Sequence, residues 1–209
     1  MQSLSSYDKG KASFIGRTYR QDIDSSLEFS ERLWTPIRKR KKKLPRTVVL
    51  IGNHEQRIAR ALDLQSNLHG TIGYNDLDFN RYYDEVVDYN GNTPGSIVVD
   101  GIHYAHYFIS GVSGRPISSD VSPAAALVSK NLTSSTCGHS HLFDYSVRNA
   151  ANGSRLNGLV AGCFIDYNIG WAGESNKLWS RGVAICHNVE NGNYDLEWCS
   201  LERLRKEYG

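Results

Sequence analysis

The sequence predicts a mixed α/β (α+β) domain with two packed β-sheets flanked by helices, and three observations lead there. Short β-branched and aromatic runs recur through the second half of the chain. Helical patterns are few. The glycine-bearing motifs fall where a strand gives way to a turn or helix, as in βα units.

Taken in order, residues Met1 to Asp22 are polar and without clear periodicity, and read as a loop or arm. A helix is expected to start near Asp24-Ser25, which can cap it, with Leu27, Leu33, Trp34 and Ile37 as a ragged apolar stripe. The basic run Arg38 to Lys43 ends it and Pro45 marks the break. Thr47 to Ile51 is a continuous apolar run of strand length, the pattern of a strand covered on both faces. Gly52 closes it, and Glu55 to Leu64 is helical, with Ile58, Ala59, Leu62 and Leu64 inward. Residues Gln65 to Asn90 are aromatic and acidic and read as a partly helical insertion. Ile97 to Val99 and Ile102 to Ile109 are strands joined at Asp100-Gly101, a hairpin signal. Pro123 to Ser129 is a short helix. Leu132 to Cys137, Leu142 to Val147, Leu156 to Ile165, Gly182 to His187 and Tyr194 to Trp198 are strands, and Leu201 to Tyr208 a closing helix. The whole is read as one domain over 1–209: an arm plus helix over 1–45, then a β-rich core over 46–209 with an insertion at 65–95.

Composition narrows the class. Hydrophobic content of 40% and charged content of 22% are ordinary for a soluble globular protein. A formal charge of +2 gives no bulk attraction to nucleic acid or membrane. No apolar stretch is long enough to span a bilayer, and Met1 to Gly10 lack the apolar segment of a signal peptide. Cys137, Cys163, Cys186 and Cys199 are widely spaced without a C-x-x-C pair, so buried free thiols and a cytoplasmic location are expected.

Two motifs carry chemistry. In Gly52-Asn53-His54-Glu55 the glycine permits a tight turn and the Asn53 carbonyl oxygen is a plausible ligand for a divalent cation. His54 could protonate a leaving oxygen or hold a phosphoryl oxygen. The alternative is a plain helix N-terminus, with Asn53 as cap and Glu55 in the first turn. Gly138-His139-Ser140-His141 places two imidazoles two residues apart, where a loop can turn both toward a metal pair; two structural histidines are the alternative. A third contributor lies in Gly101 to Phe108. There His103 and His106 point to opposite faces of an extended strand, and His106, nearer the strand's C-terminal end, is the better candidate.

Asn-His-Glu after a strand, then a strand histidine, then Gly-His-x-His resembles, in order and type, the calcineurin-like metallophosphoesterase superfamily. The resemblance covers roughly Val48 to Ile165. It implies a metallophosphatase-like sandwich missing its first strands, with a two-metal site between sheets. Asn53, His106 and His139 would bind one ion, His141 the other, and His54 would be the phosphoryl-stabilising or acid residue. The implied reaction is hydrolysis of a phosphoester by a metal-held hydroxide, with Mn, Fe, Zn or Mg as the ions. Nucleotides and nucleic acids are among the substrates such a family takes, and the fold does not choose among them.

The resemblance is incomplete. The family's first two motifs, Asp-x-His and Gly-Asp-x-x-Asp, have no counterpart here. Three neutral ligands would hold one ion weakly, and turnover by this chain alone is not expected. Their loss would also expose the sheet edge at Thr47 to Ile51. The simplest account makes Met1 an internal methionine of a longer reading frame; the runner-up is a fragment that pairs with a separate chain. Two rival functions stay open: a non-catalytic metal-binding or interaction domain, and nucleic-acid binding through Arg38 to Lys43 with Arg46. A strand of five residues spans roughly 17 Å, so that basic run lies at the far end of the strand from Asn53.

Overall fold

The computed structural model describes the backbone of all 209 residues, and the side chains of all except Ser13 and Val112. It is a mixed α+β chain of helices and several small sheets, none closed into a barrel. Two compact units follow one another along the chain, Met1–Asn90 and Gly91–Gly209.

The first unit is built on α1 (Tyr19–Arg40), β1 (Val48–Leu50), α2 (Gln56–Leu64) and β2 (Glu85–Val87). Helix α1 begins five residues before the expected Asp24, because Thr18 and Gln21 form a reciprocal capping box. That device satisfies two helix-end donors that Asp24-Ser25 would have left to water. Ile23 therefore lies inside the helix and packs with Ile58 and Leu77, each at most 2% exposed, in the core of this unit.

The insertion contains more than the expected helical turns. After short 3₁₀ turns at Ser66–Leu68, Tyr74–Leu77 and Phe79–Arg81 it supplies β2, which pairs in parallel with β1 through Val48↔Glu85, Val49↔Val86 and Leu50↔Val87. Asp84 fastens the start of this pair: its carboxylate accepts from the Thr47 backbone N–H at 2.7 Å and the Thr47 hydroxyl at 2.8 Å. Those bonds hold the Asp84 carboxyl below the usual carboxylate range. Strand β1 is not covered on both faces, as its apolar run suggested. Its three residues are half-buried because its sheet has only two strands, and only the flanking Thr47 and Ile51 are buried.

The second unit centres on a five-stranded sheet in the order β3-β4-β7-β9-β8 (Ser96–Val99, Ile102–Ala105, Ser135–Cys137, Arg155–Ala161, Phe143–Asn149). Strands β3 and β4 form the expected hairpin, with Asp100 and Gly101 both at positive φ, as a two-residue turn of this hand requires. Strand β4 ends at Ala105, four residues short of expectation. Ile109–Ser110 (β5) instead pairs with Arg115–Pro116 (β6) in a separate two-stranded sheet. At the other side of the predicted β7, Leu132 is the left-handed C-cap of α3 (Pro123–Asn131), not a strand residue.

The three central strands, β4, β7 and β9, run parallel, and α3 packs over β8 and β9 with its edge reaching β7. A second layer is the antiparallel ribbon of β10 (Gly182–Glu190) and β11 (Asn193–Ser200). It packs on the sheet through Phe143 against Trp198 and Tyr145 against Tyr194, with ring centroids 4.2 and 5.9 Å apart. Asn157, fully buried, crosses between the layers and donates to the Gly192 carbonyl at 3.1 Å. Helix α4 (Leu201–Tyr208) closes the chain, capped by Ser200. All four cysteines are free; Cys137 and Cys199 are buried, Cys163 and Cys186 partly so. No helix among the described residues is long and apolar enough to cross a membrane.

Close backbone approach fixes where α3 sits. A Cβ at Gly158 would fall 2.4 Å from the Ala124 carbonyl oxygen and 2.5 Å from Val128 Cγ2. Gly158→Ala is therefore expected to destabilise the second unit by about 1–3 kcal/mol through overpacking. A lowered denaturant midpoint with an unchanged slope checks it.

Candidate metal and phosphoester site

In an open sheet with parallel strands, side chains that meet a ligand gather beyond the strands' carboxyl ends. In the second unit that edge is formed by the residues after β4, β7 and β9. Ala105 and Cys137 are register partners, and one step further the Gly138 N–H donates to the His106 carbonyl at 3.1 Å. The ladder thus runs one rung past the strands and sets His106 beside the Gly138-His139-Ser140-His141 loop.

That loop is tightly bent. The Ser140 N–H donates to the Gly138 carbonyl at 2.9 Å, closing a three-residue γ-turn around His139, whose φ is +70°. His141 also lies in the left-handed region, at φ +63°. Neither histidine would adopt this backbone freely, and such strain collects at functional sites. The exit is pinned where Ser180 N–H donates to the His141 carbonyl and Gly162 N–H to the Leu142 carbonyl, both at 2.9 Å.

The side chains follow from this backbone. His139 Nδ1 faces His106 Nε2 at 3.2 Å, with the rings edge-on at 5.1 Å. Burial lowers both basicities. His106 is pushed down to about 4, first by burial and then by the neighbouring His139 and His141. Both imidazoles are thus neutral at physiological pH, the form that binds a metal. Their contact is a hydrogen bond in which one ring N–H donates to the other ring's nitrogen, and it is near the roughly 3.3–3.4 Å that separates two nitrogens bound to one tetrahedral ion at about 2.0–2.1 Å. These two imidazoles could supply two of the ligands of a divalent transition metal. The His141 ring packs edge-on against Trp179 at 4.2 Å, and its pKa is lowered by burial and then by the nearby His139. Among the described residues no three His, Cys, Asp or Glu side chains are grouped as a metal cage. His103 lies within β4 opposite Val98, not at the strand's end.

Sequence reasoning missed Tyr107 and Trp179. Tyr107 lies 4.9 Å from the His139 ring and helps wall a cavity of 290 Å³ behind it, with Ile117, Pro123 and Leu142. Only the aromatic character of these positions could have flagged them.

Asn53 and His54 belong to the first unit, on the turn between β1 and α2. Glu55 shapes that turn: its Oε2 accepts from the Gly52 N–H at 3.0 Å, while the Gly52 carbonyl accepts from the Gln56 N–H at 3.0 Å. The residue that precedes α2 is Glu55, itself in helical conformation and without a side-chain capping bond to the helix. Tyr74 donates to Gln56 Oε1 beside the motif. The basic run is partly tied down, since Arg38 donates to the Arg81 carbonyl at 2.7 Å and lies over the Tyr82 ring.

No family model, curated protein or solved structure matches this chain.

The lowered His106 basicity has a signed consequence in metal-free protein. The unfolded chain takes up the proton near pH 6.5 and the folded one near 4, so stability falls as pH drops from about 6.5 to about 4 and levels off below. Thermal midpoints measured across this range in chelator should show the slope, and His106→Gln should make it shallower.

Proposed function

We propose that the chain carries part of the metal site of a calcineurin-like metallophosphoesterase, and that it acts on a phosphoester in the cytoplasm. The observation that carries the reading is the half-buried pair of neutral imidazoles whose facing nitrogens lie 3.2 Å apart beyond two parallel strands, His139 on a strained Gly-His-Ser-His loop. His106 and His139 would hold one divalent ion, of Mn, Fe, Zn or Mg, and His141 is the family's ligand for a second. A bound divalent ion supplies Lewis acidity toward a phosphoryl oxygen. The protein's own part is to keep the two imidazoles uncharged by partial burial and to set them side by side through the Gly138–His106 rung. The roles of Asn53 as ligand and His54 as proton donor or phosphoryl holder rest on the motif order alone.

Calorimetric titration of chelator-treated protein with Zn²⁺ or Mn²⁺ tests the metal half. One ion should bind, and His139→Ala and His106→Ala should each weaken it by about tenfold or more, since each removes a ligand. Manganese-dependent hydrolysis of a chromogenic phosphodiester tests the chemistry, with loss in His54→Ala and His139→Ala. Metal binding with no hydrolysis at any metal concentration would leave a non-catalytic metal-binding domain. Absence of metal binding would overturn the reading altogether.

A further inference from the structure

A cluster of exposed aromatic rings lies next to His141. Trp179, against the His141 ring, also meets the Trp171 ring, with centroids 5.9 Å apart. Trp171 is 55% exposed, and the same segment shows Phe164 and Tyr167 at 53% and 62%. Large aromatics left in water cost solvation free energy, and the Trp171–Trp179 pair offers a ring surface on which a ligand can stack.

The loop that bears them is held rigid. Asn176 bonds Ile169 through both its amide oxygen and nitrogen, each at 2.9 Å, and reaches the Gly173 carbonyl at 2.8 Å. Asp166 is ion-paired to Arg205 of α4. Cys163 and Ser180–Gly182 close the base by backbone hydrogen bonds of 2.9 Å. A ligand that stacks there therefore meets rings already in place, with little ordering cost.

The base of the loop also carries a cation without an anionic partner. Arg181 donates to the Asn168 amide oxygen at 2.8 Å, a neutral acceptor. Its Nε is buried without a hydrogen-bond partner. Among the described residues no carboxylate is paired with it. A guanidinium with no carboxylate partner can still offer its remaining terminal nitrogen, Nη1, to a phosphate oxygen, while the buried Nε stays out of a ligand's reach. A stacking ring and an unpaired cation carried by one loop suit a flexible strand of nucleotides, in which every base offers a face for stacking and every linkage a phosphate.

We propose that the loop from Cys163 to Arg181 binds single-stranded nucleic acid, with a base on Trp171 and a backbone phosphate on Arg181. This deepens the phosphoesterase reading by naming its substrate class and rests on it: Trp179 would link the bound strand to His141 and so direct a neighbouring phosphodiester to the metal residues. It also moves nucleic-acid contact away from the basic run.

The test is fluorescence anisotropy of a labelled oligothymidylate titrated with the full chain in chelator, so that metal binding and hydrolysis play no part. Binding is expected, with Trp171→Ala reducing affinity by about tenfold, Trp171→Phe retaining most of it, and Arg181→Gln flattening the salt dependence by about 0.7 in log–log slope, one phosphate's worth. An abasic strand of equal length should bind no better than Trp171→Ala binds the oligothymidylate. Trp171 is exposed, so its loss should leave the circular dichroism spectrum unchanged. Equal affinity for the abasic strand, or for Trp171→Ala, would overturn the proposal, as would no binding at all; self-association in sedimentation together with no binding would assign the aromatic face to a protein partner instead. Binding here without metal uptake in the calorimetric test would keep this loop's role and remove the phosphoesterase reading.

Discussion

One hydrogen bond, from the Gly138 N–H to the His106 carbonyl, organises the candidate site in the second unit. It extends the parallel pairing of β4 and β7 one residue beyond both strands. Parallel registry fixes the relative height of two chains that point the same way, so the residues just past each strand arrive side by side. His106 and His139 meet because Ala105 and Cys137 are partners. Slipping that registry by one residue would turn the side chains to the other face and separate the imidazoles.

The histidine loop depends on this rung and adds strain to it. His139 and His141 occupy the left-handed region that glycine and asparagine usually fill, and a γ-turn is tightened around the first of them. Packing compensates: Ser180 and Gly162 hold the loop's exit and Trp179 covers His141. The half-buried imidazoles, their basicity depressed, then meet as uncharged rings, the N–H of one donating to the lone pair of the other.

Much of this was legible beforehand and the rest was hidden for definite reasons. The Asp100-Gly101 hairpin, the helix at Pro123 and the closing helix follow from local turn and capping chemistry, which sequence displays directly. The choice of His106 over His103 followed from its place at a strand end. The start of α1 was misread because the Thr18/Gln21 box sits in a polar stretch where no apolar stripe announces a helix. Strand β2 was invisible because Glu85-Val86-Val87 is three residues long and is made a strand by β1, a tertiary partner. The braced aromatic loop went unread since its order comes from Asn176 and Asn168, polar residues that resemble any surface turn.

The meeting of two hairpin tips bears on how this fold tolerates change. The Asp100-Gly101 turn and the Asn191-Gly192 turn lock backbone to backbone: Gly192 donates to the Asp100 carbonyl at 2.8 Å, and a Cβ on Gly101 would collide with Gly192 N at 2.6 Å. Hairpin tips are ordinarily where chains accept inserted segments, epitopes and new termini. These two are closed to such traffic, because lengthening either would unseat the other. The exposed tip between β8 and β9, around Asn152-Gly153, has no such neighbour against its glycine and is the natural point for grafting or permuting the second unit.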